Sequence, residues 1–149
     1  MNTTRVQQSE NTEPRCPINH SMLLFGDRWS LLIIRDMLFL GKRRYKEFLS
    51  SPERISTNIL ANRLKQLQNC GLVEKFPDTS DRKASIYLPT DAGIALTPVL
   101  VELIRWGMEK NPNGMITQEM AIALADPDYD LKGELMTSIR KQRKALTQG

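Results

Sequence analysis

Residues 45–88 read YKEFLSSPERISTNILANRLKQLQNCGLVEKFPDTSDRKASIYL. Hydrophobic spacing and turn residues divide this stretch into a short helix (45–49), a breaker (50–52) and an amphipathic helix (56–70). Two β-like runs follow, 72–76 and 84–88, on either side of a polar loop, 77–83. Gly71 closes the longer helix. The order helix, turn, helix, hairpin predicts a winged helix-turn-helix, in which the second helix enters the DNA major groove and the hairpin is the wing.

The composition is that of an ordinary globular protein, with 149 residues of which 40% are hydrophobic and 26% charged. This length fits one domain. No apolar run approaches the roughly 20 residues that cross a membrane. The polar N-terminus, 1–14, predicts a disordered tail and lacks the apolar core of a signal peptide, so a cytoplasmic protein is expected.

Chemistry-bearing motifs are missing from the sequence. It shows no nucleophile–base pattern, no metal-ligand cluster and no phosphate loop, so we predict neither an enzyme nor a cofactor or metal site. The two cysteines, Cys16 and Cys70, are far apart and suggest no disulfide framework.

Positive charge is concentrated in the predicted motif. The chain has a net charge of +4, but residues 42–83 contain ten Lys or Arg and five Asp or Glu, a net of +5. Phosphate contacts supply most of the non-specific affinity for DNA, so this distribution favours double-stranded DNA as a partner. A basic but merely solvated surface would have the same composition.

Further helices are predicted on both sides of the motif: 17–25, 28–40, 91–110, 116–125 and 131–146. Asp27 is a good N-cap for the second of these, which is nearly all apolar and should be a central core helix. Pro98 should kink the 91–110 helix or displace its first turns. Asp126-Pro127-Asp128 separates the last two helices and can cap the second of them.

The apolar surface of these flanking helices exceeds what the 45–88 motif can cover. We therefore expect a mainly α fold with a small β-hairpin wing and with N- and C-terminal dimerisation helices, as a homodimer on a two-fold site requires. The predicted organisation is a tail (1–14), a winged-helix domain that includes dimerisation helices (15–111) and a C-terminal helical extension (112–149). The alternative is a compact monomer whose helices fold onto its own core.

The 56–70 helix has two distinct faces. Ile59, Leu60, Leu64, Leu67 and Cys70 converge on the predicted core side. The base-facing candidates are at the N-terminal end of the other side: Thr57, Asn58, Ala61 and Asn62. An asparagine can pair with adenine and an alanine can contact a thymine methyl, whereas Lys65 is better suited to a phosphate. The competing interpretation is an ordinary solvent-facing helix.

Basic side chains outside this helix are candidates for phosphate contacts. Arg82 and Lys83 are near the tip of the predicted wing, and a basic cluster precedes the first helix of the motif: Lys42, Arg43, Arg44 and Lys46. Basic hairpin tips are also common as solubility features. Arg63 is toward the apolar face of its helix, so we expect it to pair internally, with Asp36 or Glu47.

Several pieces of the chain match a known family pattern: Cys16-Pro17, Gly26-Asp27-Arg28-Trp29, Arg44-Tyr45-Lys46-Glu47-Phe48, Ile55-Ser56-Thr57-Asn58-Ile59-Leu60, Arg63-Leu64-Lys65-Gln66-Leu67, Gly71-Leu72-Val73 and Tyr87-Leu88-Pro89-Thr90-Asp91-Ala92-Gly93. Through these pieces, the chain from Cys16 to about Gly107 resembles the HxlR-type winged-helix transcriptional regulators, relatives of the MarR family. Asp27 stands where the family usually has a second glycine, and Pro89-Thr90 stands in place of Leu-Thr. The resemblance implies a homodimer that binds a pseudo-palindromic operator.

The same resemblance leaves the signal open. Some members sense electrophiles or oxidants through a cysteine at the position of Cys16, and others respond to small molecules. Cys16 precedes Pro17 at a predicted helix start and follows Arg15, and both the helix dipole and a neighbouring cation favour a thiolate. The alternatives are a structural Cys16, a repressor with a ligand pocket between dimer helices near Phe25, Trp29 and Trp106, and a winged helix that binds protein.

Overall fold

The computed structural model describes residues 14–148, so the predicted tail lies outside the described residues except for Pro14. Eight helices and two strands are found in the described range: α1 Pro17–Phe25, α2 Ser30–Phe39, α3 Tyr45–Leu49, α4 Thr57–Asn69, β1 Val73–Pro77, β2 Ser85–Pro89, α5 Asp91–Ile94, α6 Thr97–Lys110, α7 Gln118–Ala125 and α8 Leu131–Thr147. None of these helices combines the length and the apolar character that crossing a membrane would require.

The first two helices form as predicted, with a later start for α2. Pro17 is in the first turn of α1, and the backbone N–H of Gly26 donates to the Met22 carbonyl at its end. Asp27 Oδ1 accepts from the backbone N–H groups of Trp29 and Ser30, at 2.8 and 2.9 Å, so Asp27 orders the turn before α2. The helix therefore begins at Ser30, and it is central: the side chains of Ile34 and Met37 have no exposed surface.

The helix-turn-helix is formed by α3 and α4. The Ser56 hydroxyl accepts from the backbone N–H of Ile59 at 3.3 Å and caps α4. Leu60, Leu64 and Leu67 are buried under this helix. The placement of Ile59 on the core side was wrong: this residue is in the first turn of α4, at the edge of the apolar stripe, and it is 38% exposed.

The hairpin is antiparallel, with partners running from Val73↔Pro89 to Pro77↔Ser85. Both strands begin one residue later than predicted. Four consecutive residues of β2 are buried because the strand contacts α2 and α3 as well as α8. An isolated bridge between Arg44 and Ile86 ties the start of α3 to the hairpin. The fold is a winged helix-turn-helix.

The C-terminal part confirms the predicted effect of Pro98 and corrects the predicted cap of the last helix. Pro98 divides the predicted 91–110 helix into α5 and α6 and occupies the first turn of α6, where its missing N–H is not needed. The helix α8 is capped by Asp130, whose Oδ1 accepts from the backbone N–H of Gly133 at 2.9 Å, and not by the Asp126-Pro127-Asp128 segment.

The C-terminal helices share the hydrophobic core of the rest of the chain. Met120 and Ala123 of α7, and Leu131 and Ile139 of α8, belong to the same buried cluster as the leucines of α4. The apolar residues that remain exposed are concentrated on α1 and α6: Ile18, Met22 and Leu23; Val99, Leu103 and Trp106. Among the residues that the structure describes, α1 and α6 each carry three exposed large apolar side chains, while α8 packs within its own chain.

Candidate nucleic-acid interface

The exposed side of α4 brings together all the residues that the sequence predicted for it: Thr57, Asn58, Ala61, Asn62 and Lys65. They occupy successive turns of one helix, and the buried leucines fix which side faces outward. This face carries amide, hydroxyl and methyl groups near the N-terminus and one ammonium group further along. These are the groups that read base edges and hold a phosphate, respectively.

Two sets of hydrogen bonds from α3 order the helix-turn-helix: one reaches α4, and the other holds the segment that precedes α3. The Tyr45 hydroxyl donates to the backbone carbonyl of Thr57 at 2.5 Å, next to the exposed turn. Glu47 Oε2 accepts from the backbone N–H groups of Arg43 and Arg44, at 2.6 and 2.7 Å. Burial alone would raise the pKa of Glu47. The two hydrogen bonds and the nearby arginine charges together lower it by more, so the pKa of Glu47 is below its usual value.

A buried ionic network joins α2 to the turn between α3 and α4. Asp36 is 3% exposed, and its carboxylate accepts from Lys42 Nζ at 3.1 Å and from the Ser51 hydroxyl. Arg35 donates to Asp36 Oδ1 at 2.6 and 2.9 Å and reaches Glu53 at 2.5 and 3.1 Å. The network joins α2 to residues on both sides of α3, including the segment that leads into α4.

The wing is tied to α3 through Arg44. Its Nε donates to Asp78 Oδ2 at 2.6 Å, and the Ser80 hydroxyl donates to the other oxygen of that carboxylate at 2.6 Å. The hydrogen bond from Arg44 and those from Ser80 hold the pKa of Asp78 well below its usual range. Beyond this anchor, Arg82 and Lys83 are exposed at the wing tip, where the sequence predicted them.

A groove runs between α3 and the wing. Its lining is net positive, with four basic residues, Arg44, Lys46, Lys75 and Lys83, and two acidic ones, Glu47 and Asp81. Lys75 was missed at the sequence level. It is exposed on β1, and its ammonium group is 5.9 Å from the centre of the Tyr87 ring. The signal that could have identified it is a basic residue inside a strand of the predicted wing.

Two of the predicted phosphate-binding residues face inward. Arg43 donates through Nη1 to the backbone carbonyls of Met37 and Lys42, at 2.7 and 2.9 Å, and through Nε to Gln142 at 3.0 Å. Lys42 is bound to Asp36 and Ser51 in the buried network. The Nε and Nη1 groups of Arg43 and the ammonium group of Lys42 donate inside the chain, so these side chains are turned away from the DNA-facing surface on which the sequence predicted them.

Arg63 is paired internally, as expected, but its predicted partners were wrong. Its Nε is 3.6 Å from Asp27 Oδ1, and its Nη1 donates to Gln66 at 2.5 Å. Asp27 is before α2 in the chain, so α4 is linked to the α1–α2 turn and not to Asp36 or Glu47.

The two cysteines have different surroundings. Cys16 is exposed at the start of α1. Cys70 is partly buried against the core, with Sγ 3.5 Å from the Leu67 carbonyl oxygen. Among the described residues, Trp29 and Trp106 line two separate depressions. Within residues 14–148, no group of three His, Cys, Asp or Glu side chains is arranged to hold a metal ion.

Comparison with known proteins points to one family. The HxlR-like helix-turn-helix family model matches residues 24–115. Rv3095 of Mycobacterium tuberculosis, an uncharacterized HTH-type transcriptional regulator, is 36% identical over 95 residues, which are 64% of this chain and 59% of that protein. The chain therefore spans less than two thirds of that relative.

Solved structures agree with the sequence match. The crystal structure of PA1607, provisionally assigned as a transcription factor, gives a TM-score of 0.63 at 34% identity, over 70% of this chain and 73% of that chain. Reduced YodB, a transcriptional regulator of Bacillus subtilis, gives 0.53 at 30% identity, over 68% of this chain and 100% of that chain. YodB with bound quinone gives 0.52 at 32% identity, over 63% and 99%.

Proposed function

The chain belongs to the HxlR-like helix-turn-helix family, and on this basis we propose that it is a homodimeric transcriptional regulator that binds a pseudo-palindromic operator. The observation that carries the proposal is the exposed polar face of α4, which stands beside a basic wing and groove. A helix presented in this way fits the major groove of B-DNA, and a basic hairpin beside it suits the adjacent backbone.

Base recognition is assigned to the N-terminal half of α4. Asn58 and Asn62 can each donate to and accept from an adenine edge, Ala61 can contact a thymine methyl, and Thr57 can bond to a base or the backbone. Phosphate contacts are assigned to exposed cations: Lys46, Lys65, Lys75, Arg82 and Lys83. Arg44 belongs to this group through its half-exposed guanidinium, although its Nε is bound to Asp78. Arg43 is left out because its Nε and Nη1 groups donate inside the chain.

Dimerisation is assigned to the exposed apolar residues of α1 and α6. Leu23 is 63% exposed and Trp106 is 63% exposed, which is costly for an isolated soluble chain. Burying both helices against a second copy would remove this surface from water and set the spacing of the two α4 helices. Two-fold regulators place these helices about 34 Å apart, one turn of DNA.

The exposed thiol of Cys16 is proposed as the point where a signal acts. Cys16 immediately precedes α1, so a group added to its sulfur would lie at the proposed dimer surface and could change the spacing of the two α4 helices. YodB has been crystallised with a quinone, an electrophile that thiols attack, and this relative supports a chemical signal of that class. A small molecule bound between dimer helices is the second candidate.

Binding to duplex DNA as a function of salt tests the proposal. The phosphate contacts assigned to two protomers predict an affinity that falls by roughly 10³-fold or more between 50 and 200 mM salt. The bound sequences would first be selected from random duplexes. Affinity that does not respond to salt, or no selected sequence, would contradict the proposal.

Matched variants can distinguish residues that read bases from residues that contact phosphates. Asn58→Ala should cost about 1–3 kcal/mol on the selected site and relax specificity at one base pair. Asn69→Ala is the control, because Asn69 is an exposed asparagine at the opposite end of the same helix. Arg82→Ala should weaken all sequences about equally. If Asn58→Ala lowers affinity for selected and random DNA by the same factor, its base-reading role is wrong. A winged helix that binds protein would leave all these affinities unchanged.

A further inference from the structure

The helix α8 lies outside the stretch that matches the family, which ends at residue 115. Its N-terminal half enters the shared core through Leu131 and Ile139. Its C-terminal half also reaches the start of α5 through Arg140, which binds Asp91, and the end of β2 through Arg143, which binds the Pro89 carbonyl. The part of the chain that is additional to the family match therefore reaches the base of the wing.

One side chain of α8 holds both strands of the hairpin. Arg143 Nε forms an ion pair with Glu74 Oε2 on β1 at 2.8 Å, without the alignment of a hydrogen bond, and Nη2 donates to the Pro89 carbonyl at the end of β2 at 2.9 Å. It also lies 3.5 Å from Asp91, the first residue of α5. The Arg143 side chain is 23% exposed, so these contacts are partly shielded from water.

A second contact reaches the wing through the segment before α3. Gln142 Oε1 accepts from Arg43 Nε at 3.0 Å. The Arg43 backbone carbonyl in turn accepts from the N–H of Tyr87 on β2 at 2.7 Å. The next residue, Arg44, is bonded to Asp78 in the wing loop. Two adjacent residues of α8 thus hold the hairpin from two sides.

The hairpin needs such support because two strands alone are marginally stable. Five residues of strand separate its base from its tip, which is about 16 Å, so a tilt of about 10° at the base moves the tip by about 3 Å. A displacement of that size exceeds the range of a hydrogen bond. The contacts of Arg82 and Lys83 with DNA would therefore depend on the angle set at the base.

We propose that α8 is a brace that fixes the wing relative to α4, with Arg143 as its main positioning residue. The inference rests on the proposed function, since the wing is taken to contact DNA. It adds that residues remote from the DNA-facing surface, and outside the family match, control affinity through the wing.

Paired variants of α8 test the brace. Arg143→Met keeps an aliphatic side chain and removes the guanidinium, and Arg140→Met removes the same charge from the same helix but loses contacts only to Asp91. Arg143→Met should lower affinity for the selected duplex roughly 3- to 10-fold more than Arg140→Met. Glu74→Gln, at the partner position on β1, should lower it in the same direction.

The wing-tip residues show whether Arg143→Met acts by moving the wing or by destabilising the whole protein. In an Arg82→Ala, Lys83→Ala background, the difference between Arg143→Met and Arg140→Met should shrink to less than about 2-fold. Hydrogen exchange at hairpin amides such as that of Tyr87 should be faster in Arg143→Met than in Arg140→Met. The brace would be overturned if both α8 variants lost the same duplex affinity. It would also be overturned if the affinity difference between them stayed as large in the Arg82→Ala, Lys83→Ala background.

Hydrogen exchange also separates the two proposals. If the wild-type protein binds no duplex, the proposed function fails. Hydrogen exchange at the hairpin amides then still tests whether α8 holds the wing. Unchanged exchange in Arg143→Met would overturn the brace. If the duplex binds but the two arginine variants behave alike in both assays, only the brace is wrong.

Discussion

Replacement of Asp36 by alanine should be one of the most damaging single changes near the helix-turn-helix. Its carboxylate is almost fully buried and accepts hydrogen bonds from Arg35, Lys42 and Ser51. Alanine would leave the Lys42 ammonium, whose side chain is 16% exposed, with the Ser51 hydroxyl alone. A buried cation without its counterion is the physical cause of the expected loss.

The size of this loss follows from the geometry. Breaking a buried ion pair costs about 3–5 kcal/mol. Arg35 keeps its bonds to Glu53, and Lys42 retains some access to water, so we expect about 2–4 kcal/mol for Asp36→Ala. At this chain length, the melting temperature should fall by about 5–12 °C.

Glu53→Ala is the matched control because Glu53 binds the same arginine but has a side chain that is 25% exposed. Its removal should cost at most about 1 kcal/mol. Calorimetry and denaturant titration at one fixed protein concentration would measure both variants, since dimer formation makes stability depend on concentration. Equal effects of the two substitutions, or a loss below about 1 kcal/mol for Asp36→Ala, would refute the reasoning.

Three further outcomes are expected. Arg44 lowers the folded-state pKa of Asp78 below its unfolded value of about 4, so the stability difference between wild type and Asp78→Asn should be largest above about pH 5 and shrink as pH falls. Urea unfolding midpoints measured across this pH range check the direction, and a difference that grows in acid contradicts the prediction. Trp106→Glu should give a monomer by sedimentation with weaker operator binding and an unchanged circular dichroism spectrum; a stable dimer would reject the assigned surface. After diamide, operator affinity should fall for wild type and Cys70→Ser but not for Cys16→Ser, and identical responses of wild type and Cys16→Ser would make Cys16 structural.

Local signals explain why the helix-turn-helix was predictable. Ser56 caps α4 and Gly71, at a φ of +75°, ends the segment, so both limits of the helix are specified by neighbouring residues. The hairpin strands follow from short apolar runs around a polar loop, and the predicted limits differ from the structure by one residue. The exposed face of α4 follows from the same periodicity that buries its leucines.

Long-range pairing explains what the sequence did not give. Arg43 and Lys42 are basic residues next to the motif, and only their three-dimensional surroundings show that their donors are used internally. The contact between Arg43 and Gln142 joins residues 99 positions apart, and that between Arg143 and Pro89 joins residues 54 apart. No local pattern encodes such pairs, so neither the inward arginine nor the packing of α8 on the wing could be predicted.

The limited pairing of the hairpin has a consequence for behaviour at high concentration. In the part of the chain that the structure describes, β1 pairs only with β2, so its outer edge is free to add a strand from another molecule. Charged Lys75 and Pro77, which has no N–H to donate, are both on this edge strand and exposed. Residues of these two kinds discourage edge-to-edge aggregation. A lysine suited to DNA backbone contact therefore also helps to keep the free protein from forming intermolecular sheets.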